Sequence, residues 1–328
     1  MTAPADYGIA FTAREWAELL PIERDAAPLG PRDVAGRTLV TLISTGTELA
    51  IYQGEHFPQR PGYAAVFEVE AVGAEVADLA PGDRVFCMGP HQTFQRAARA
   101  EVIPVPAGMA PDVALFARMV GVTMSTLTTT TARPPEQVLV LGLGLVGFLA
   151  AQLFAACGYE VIACDPLAER RDLARQAGVE RAIPDVPVDD PAIARKVGLA
   201  LDCSGHEQAV LDACRVVRKR GEVVLVATPW RQRSDLDAHQ ILRAVFHNYV
   251  VMRSGWEWEL PRQPTDFMTN SIYGSFAAAM RWLAEGRIRV AGISDTRRPQ
   301  DAQDAYQGLL RDPGARLTTV FEWNTPRA

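Results

Sequence analysis

Apolar positions along this chain keep two different rhythms. From residue 138 onward, short runs of branched and aliphatic residues alternate with helical stretches, and glycine marks the joins. Residues 138–141 predict a buried strand. Gly142, Gly144 and Gly147 follow, and an apolar helical stretch runs to about Cys157, where Gly158 stops it. Residues 160–164 predict a second strand, which ends on Asp165. The pattern then predicts a helix over 167–177, a strand over 199–203, a helix over 207–217 with a basic end at Arg218 to Arg220, and a strand over 223–227. A helix over 241–247 and a strand over 249–253 complete the series. Strands alternating with helices at this spacing predict an α/β unit with a doubly wound parallel sheet.

Before residue 112 the strands are shorter and Gly or Pro turns separate them. Residues 39–43 predict a strand, 44–48 (STGTE) a polar loop, and 49–53 a short helical turn stopped by Gly54. Strands are expected at 65–72, 84–88 and 102–104, while 1–36 are loosely patterned. This texture predicts a small, mostly antiparallel β-barrel. The helical pattern begins at Pro111 and continues to about Thr128. Late in the chain, 275–285 and 301–310 predict helices, and 317–323 a last strand that returns to the first domain. The expected division is 1–112 as a barrel domain, 113–262 as a nucleotide-binding domain, and 263–328 as the return to the barrel.

Composition narrows the class. The apolar fraction of 48% and charged fraction of 22% are those of a globular chain, and 328 residues suffice for two cores. The net charge of −6 argues against nucleic-acid and membrane-surface partners, which call for a basic face. Five cysteines are scattered without a CxxC pair, which suits a reducing cytoplasm and offers no four-thiolate zinc site. No basic segment followed by an apolar core is seen near the start, so a cytoplasmic protein is expected.

The three glycines carry the first candidate chemistry. In a strand–turn–helix, the first makes the turn, the second lets a pyrophosphate approach the backbone, and the third lets helix and strand pack closely. The helix start then faces the phosphates with unpaired N–H groups, those of Leu145 and Val146 among them. Asp165 suits a carboxylate that grips the adenosine ribose, which favours NAD over NADP. Arg170 and Arg171 can in principle hold a 2′-phosphate, but they read as exposed residues of the next helix. Strand ends line the ligand crevice in open α/β sheets, which adds Cys203, Ser204, Ala227, Thr228 and Ser254.

In this order, STGTEL, PGY, VEAVG, PGDRV, VLVLGLGLVG, CDP and LDCSG resemble the motifs of the medium-chain dehydrogenase/reductases. The STGTE loop and the stretch holding Trp256 and Trp258 resemble a zinc-independent branch that includes bacteriochlorophyllide dehydrogenases. The resemblance implies a GroES-like β-barrel catalytic domain, a Rossmann domain, a cleft between them, hydride transfer with NAD(P), and a homodimer. Zinc-dependent relatives carry Cys in the first loop and Gly-His-Glu in the second. Here Thr45 stands in place of the Cys, and Tyr63 and Ala64 in place of His and Glu. Thr and Tyr are poor zinc ligands, so no zinc is expected. A Cys87–His91 pair is the alternative, two ligands short of a third.

Without a metal, hydrogen-bond donors must stabilise charge on the substrate oxygen. The resemblance puts Thr47 where the family has a hydroxyl that touches substrate and cofactor ribose; alternatively it caps a helical turn. Tyr63 is a candidate proton donor or a half-buried strand tyrosine. Glu48 orients a donor or anchors its loop through an arginine. His91 relays protons or is a solvated loop histidine. Trp230, Trp256 and Trp258 wall an apolar pocket or belong to a core or interface. The expected activity is zinc-independent, NAD-dependent interconversion of a secondary alcohol and a ketone, with a small molecule as partner. Reduction of activated C=C bonds, of the quinone or enone type, and NAD(H) binding without turnover are the other readings.

Overall fold

The computed structural model describes residues 6–314 and 316–323. Two compact units form: the described parts of Met1–Arg118, Phe276–Ala284 and Val290–Ala328, and a second unit of Met119–Ser275 with Glu285–Arg289.

The second unit is built on a six-stranded parallel sheet. Its strands lie in the order Ala182–Ile183, Glu160–Cys164, Gln137–Leu141, Val197–Asp202, Val217–Leu225, Val251–Ser254. This is the doubly wound arrangement in which the first strand sits centrally and the chain reverses direction beside it. All the pairings are parallel. Parallel strands covered on both faces must be apolar throughout, and Val138 to Val140 and Val197 to Leu201 are buried accordingly. The helix Leu145–Ala156 is apolar on nearly every side and is buried along most of its length. Its one polar interior side chain, Gln152, exchanges hydrogen bonds with the backbone of Arg289.

Arg218 to Arg220 do not end a helix. The helix stops at Val216, and Val217 is already extended, so the basic residues begin the strand Val217–Leu225. Arg218 pairs with Glu136 at 2.6 Å while Lys219 and Arg220 are exposed, and Gly221 lies where a Cβ would press on the carbonyl of Arg218 at 2.9 Å. Tyr249 is not in the strand that follows; it closes the helix Ala238–Asn248 in a left-handed conformation.

The first unit centres on Asp33–Leu42. This strand pairs antiparallel with Ala65–Val72, with Phe94–Ala98 and with Thr318–Glu322. Arg84–Cys87 and Val102–Pro104 extend the sheet on one side, and Ser294–Arg297 adds in parallel on the other. It is the GroES-like, mostly antiparallel barrel type. The early chain, which had looked loosely patterned, forms a hairpin of Asp6–Ala13 with Trp16–Ile22. Ile9 and Phe11 from that hairpin join Ile43, Tyr52, Tyr306 and Phe321 in one core. No helix of the described residues is long and apolar enough to cross a membrane.

Candidate active site

The glycines of the second unit meet three different physical demands. Gly142 has φ +84°, a left-handed turn that side chains resist, and a Cβ there would lie 2.9 Å from Ser204. A Cβ on Gly147 would lie 1.8 Å from the carbonyl oxygen of Gly142, so helix and strand pack only because it is missing. Gly144 differs from both. A Cβ there would meet nothing nearer than Arg170 Nη1 at 3.9 Å, so the space over this glycine is open. Gly144 is also the residue before the helix Leu145–Ala156. The first N–H bonded within that turn is that of Phe148, to Gly144. The N–H groups of Leu145, Val146 and Gly147 therefore begin the helix without an intrahelical acceptor. An open cradle bounded by such donors fits a pyrophosphate.

Asp165 follows the strand Glu160–Cys164, beside this cradle. One carboxylate oxygen accepts the N–H of Leu143 at 2.7 Å and the other that of Leu167 at 2.9 Å. The two arginines do belong to the next helix, Ala168–Gln176, but they are half-buried rather than exposed. Arg170 is 22% exposed with Nη1 3.3 Å from the Asp165 carboxylate, and Arg171 donates to the carbonyls of Asp165 and Pro166. Arg170 thus pairs with the carboxylate and Arg171 with the loop carbonyls, and Asp165 itself is buried, 2% exposed.

Cys203 and Ser204 lie against the glycine turn: Cys203 Cβ is 3.1 Å from the Cβ position of Gly147. Burial pushes the Cys203 thiol up, so it is an inert lining group. Ser204 donates to Asp202 at 2.6 Å, and Asp202, which sequence reasoning missed, also accepts the N–H groups of Ser204 and Gly205. Burial raises this carboxyl above its ordinary range. Ala227 approaches the Gly205 turn, and Thr228 beside it is exposed. Ser254 is exposed, with its hydroxyl holding the N–H of Trp256. Trp230, Trp256 and Trp258 are 54%, 65% and 45% exposed, so none is a core residue of this chain.

In the first unit, the STGTE stretch is not a loop. Thr45–Tyr52 is a helix whose first turn it forms. Thr47 sits inside that turn and Ser44 at its start, so Thr47 does not cap it. Thr45 donates to the carbonyl of Leu317 at 3.0 Å, and Thr318 donates to that of Ile43 at 2.6 Å, so the last strand pins the helix start.

Tyr63 lies just before the strand Ala65–Val72 rather than in it. Its hydroxyl donates to Ser44 Oγ, and the Thr47 hydroxyl is near enough to act on the phenol. The guanidinium of Arg118 stands over its ring, 4.8 Å from the centroid. Burial raises the phenol above its ordinary value, against the opposing pull of Arg118 and the two hydroxyls. The phenol is therefore protonated at neutral pH and serves as a donor. Thr47 and Tyr63 come together; Ser44 and Arg118 complete the cluster and were not legible in the sequence.

Glu48 and His91 belong elsewhere. Each is 1% exposed, with His91 Nε2 3.0 Å from Glu48 and Nδ1 2.7 Å from Thr41 Oγ1. Glu48 also accepts the N–H of Ser44 at 2.7 Å and the Tyr306 hydroxyl at 2.6 Å, while Trp323 donates to Thr41 at 2.9 Å. This closed polar network engages both ring nitrogens and both carboxylate oxygens. His91 is thus no solvated loop residue, Glu48 is anchored by a tyrosine and a histidine rather than an arginine, and both are buried with their polar atoms engaged. His56, His239 and His247 are exposed, and His206 caps the helix Glu207–Val216.

Zinc requires thiolate, imidazole or carboxylate ligands. Around Tyr63 the chain offers hydroxyls and a buried cation. Cys87 is buried, and both ring nitrogens of His91 are engaged. These residues do not fit the metal. Among the described residues, no three His, Cys, Asp or Glu side chains converge in the way a metal ion needs.

Residues 146–259 match the family model described as zinc-binding dehydrogenase, a stretch that holds neither Thr45 nor Tyr63. An alcohol dehydrogenase from Geobacillus stearothermophilus is 28% identical over 61% of this chain and 72% of its own. A quinone oxidoreductase from Pseudomonas aeruginosa is 31% identical over 53% of this chain and 57% of its own. The fold is that of galactitol-1-phosphate dehydrogenase from Escherichia coli, with a TM-score of 0.80 at 16% identity, covering 96% of this chain and 99% of that one.

Proposed function

The chain belongs to the medium-chain dehydrogenase/reductase family of nicotinamide-dependent oxidoreductases, and we propose that it interconverts a secondary alcohol and a ketone with NAD(H) and without zinc. The observation that carries this reading is the Tyr63 phenol, hydrogen-bonded to Ser44 beneath Arg118, at a position where zinc-dependent relatives have a metal ligand. The cradle at Gly144 and the helix start behind it support dinucleotide binding. The Asp165 carboxylate supports NAD over NADP, because a 2′-phosphate would meet its negative charge.

When bound, NADH supplies the hydride. Thr47 and Tyr63 donate to the ketone oxygen and hold it, which stabilises the charge that develops there. Tyr63 turns its O–H from Ser44 to that oxygen and gives up the proton as the alcohol forms, and the Ser44 hydroxyl then donates to the phenolate left behind. Glu48 and His91 keep the 44–48 turn in place. The same reading takes the protein to be a cytoplasmic homodimer. In support, the helix Ala238–Asn248 has no buried residue, and Leu242, Phe246 and the edge-strand residue Val251 are exposed.

With deuterium-labelled NADH, the label is expected on a carbinol carbon, in protein holding substoichiometric zinc and keeping its turnover in a chelator. Label on an alkene carbon would favour the C=C reductase reading. Tight NADH binding without turnover across ketones, enones and quinones would favour a binding protein. Zinc near one per chain, lost together with turnover, would end the zinc-free reading.

Thr47→Ala is expected to lower kcat by about 10²-fold, with NADH affinity kept, and Tyr63→Phe by a similar factor. Stopped-flow turnover and NADH fluorescence titration measure the two quantities separately. Losses below about tenfold would reduce either residue to packing.

A further inference from the structure

Arg118 is a cation almost without solvent: it is 4% exposed, near the start of the helix Ala117–Thr129. Two aromatic rings flank it. Its guanidinium carbon lies 4.8 Å from the Tyr63 ring centroid and 5.3 Å from that of Phe276. Phe276 is fully buried and meets Phe86 edge-on at 5.7 Å, so this wall cannot swing aside. A buried position in such a wall would take leucine or methionine at lower electrostatic cost. The guanidinium brings a full positive charge to the face of the Tyr63 ring.

We propose that Arg118 is a positioning residue for the reaction: it fixes the Tyr63 ring and stabilises the negative charge left on Tyr63 when the phenol gives up its proton. It thereby supplies, through an aromatic ring, the positive charge that zinc-dependent relatives obtain from a metal. The inference rests on the reading of Tyr63 as proton donor. A guanidinium remains charged in proteins, and a cation over a phenol face favours the phenolate over the phenol. The charged groups facing Tyr63 are Arg118, which favours the phenolate, and Glu48, which opposes it; the Ser44 and Thr47 hydroxyls act with Arg118. In the reductive direction the O–H bond of Tyr63 breaks as the substrate O–H bond forms, while NADH is oxidised to NAD⁺ and the ketone carbon takes the hydride. The phenolate is reprotonated from water.

The test uses the full-length protein with ¹³C at the tyrosine ring carbon that bears oxygen, with the Tyr63 resonance identified by its loss in Tyr63→Phe. In Arg118→Met, this resonance is expected to begin titrating at least about one pH unit higher than in the parent. In Arg118→Lys, which keeps the charge, the displacement is smaller. Arg118→Met is also expected to lower kcat by about 10–100-fold with KM for NADH unchanged, and to add less than about twofold in the Tyr63→Phe background. An unmoved Tyr63 titration, or a kcat loss of the same size with and without the Tyr63 hydroxyl, would overturn the proposal. If Arg118→Met does not fold, Arg118→Lys decides: a kcat loss confined to the background that retains Tyr63 supports the proposal, and an equal loss in both overturns it. Should Tyr63→Phe alone cost less than about tenfold, the proton-donor reading fails by itself, and the titration still reports what Arg118 does to the phenol.

Discussion

Gly144→Val is expected to fold like the parent and to lose dinucleotide binding by at least about a hundredfold, equivalent to about 2.7 kcal/mol. The reasoning is steric. At Gly144 an added Cβ meets only the tip of Arg170, at 3.9 Å, and the backbone there is extended, with φ −63° and ψ −176°. Folding therefore loses at most about 1 kcal/mol, the cost of an unfavourable residue at a helix start. The valine side chain fills the space that a pyrophosphate needs. Gly147→Ala makes the contrast, because its Cβ would lie 1.8 Å from a carbonyl oxygen and would push the helix from the sheet. Overpacking of this kind costs about 1–3 kcal/mol or more. NADH titration with thermal unfolding separates the two variants. A Gly144→Val protein that binds NADH like the parent would mean that the cradle is not the phosphate site.

Glu48→Ala should behave in the opposite way, destabilising the protein by about 3–5 kcal/mol. Three donors lose their acceptor together: the Ser44 N–H, the Tyr306 hydroxyl and the His91 ring. None can turn to water, since Tyr306 is fully buried and His91 is 1% exposed. Burial and the neighbouring carboxylate hold the Tyr306 phenol well above its ordinary value, so it remains a donor with nothing to donate to. Urea unfolding followed by fluorescence measures the loss. A variant of parental stability but lacking turnover would return Glu48 to the chemistry.

The second unit was legible in the sequence because its physics is local. Buried parallel strands are apolar end to end, and glycine stands where a turn or a close contact demands it, as at Gly142 and Gly147. The basic run at Arg218 to Arg220 misled because cations commonly close a helix, yet at the start of a strand Arg218 pairs with Glu136 while Lys219 and Arg220 stay exposed. The hairpin of Asp6–Ala13 with Trp16–Ile22 escaped notice because its second strand is largely solvent-facing and does not alternate cleanly. Tyr63 and Thr47 could be singled out by position within familiar motifs. Arg118 could not: nothing in FARMVG distinguishes a charge facing water from one held between rings contributed by Tyr63 and Phe276, distant in the chain. His91 failed for the same reason, since both its partners, Thr41 and Glu48, are brought in by tertiary structure.

The turn that carries Ser44 and Thr47 is tied down by groups made last. Tyr306, Leu317, Thr318 and Trp323 all bond to residues between Thr41 and Glu48. On the ribosome, where domains usually mature from the N-terminus onward, this chain must invert the order. Residues 119–275 can leave the exit tunnel and close their sheet while the first 118 residues still wait for their final strand. A nascent chain stalled before Thr318 would thus carry a finished nucleotide cradle beside an unfinished barrel, and that barrel is the part for which a chaperone would be needed.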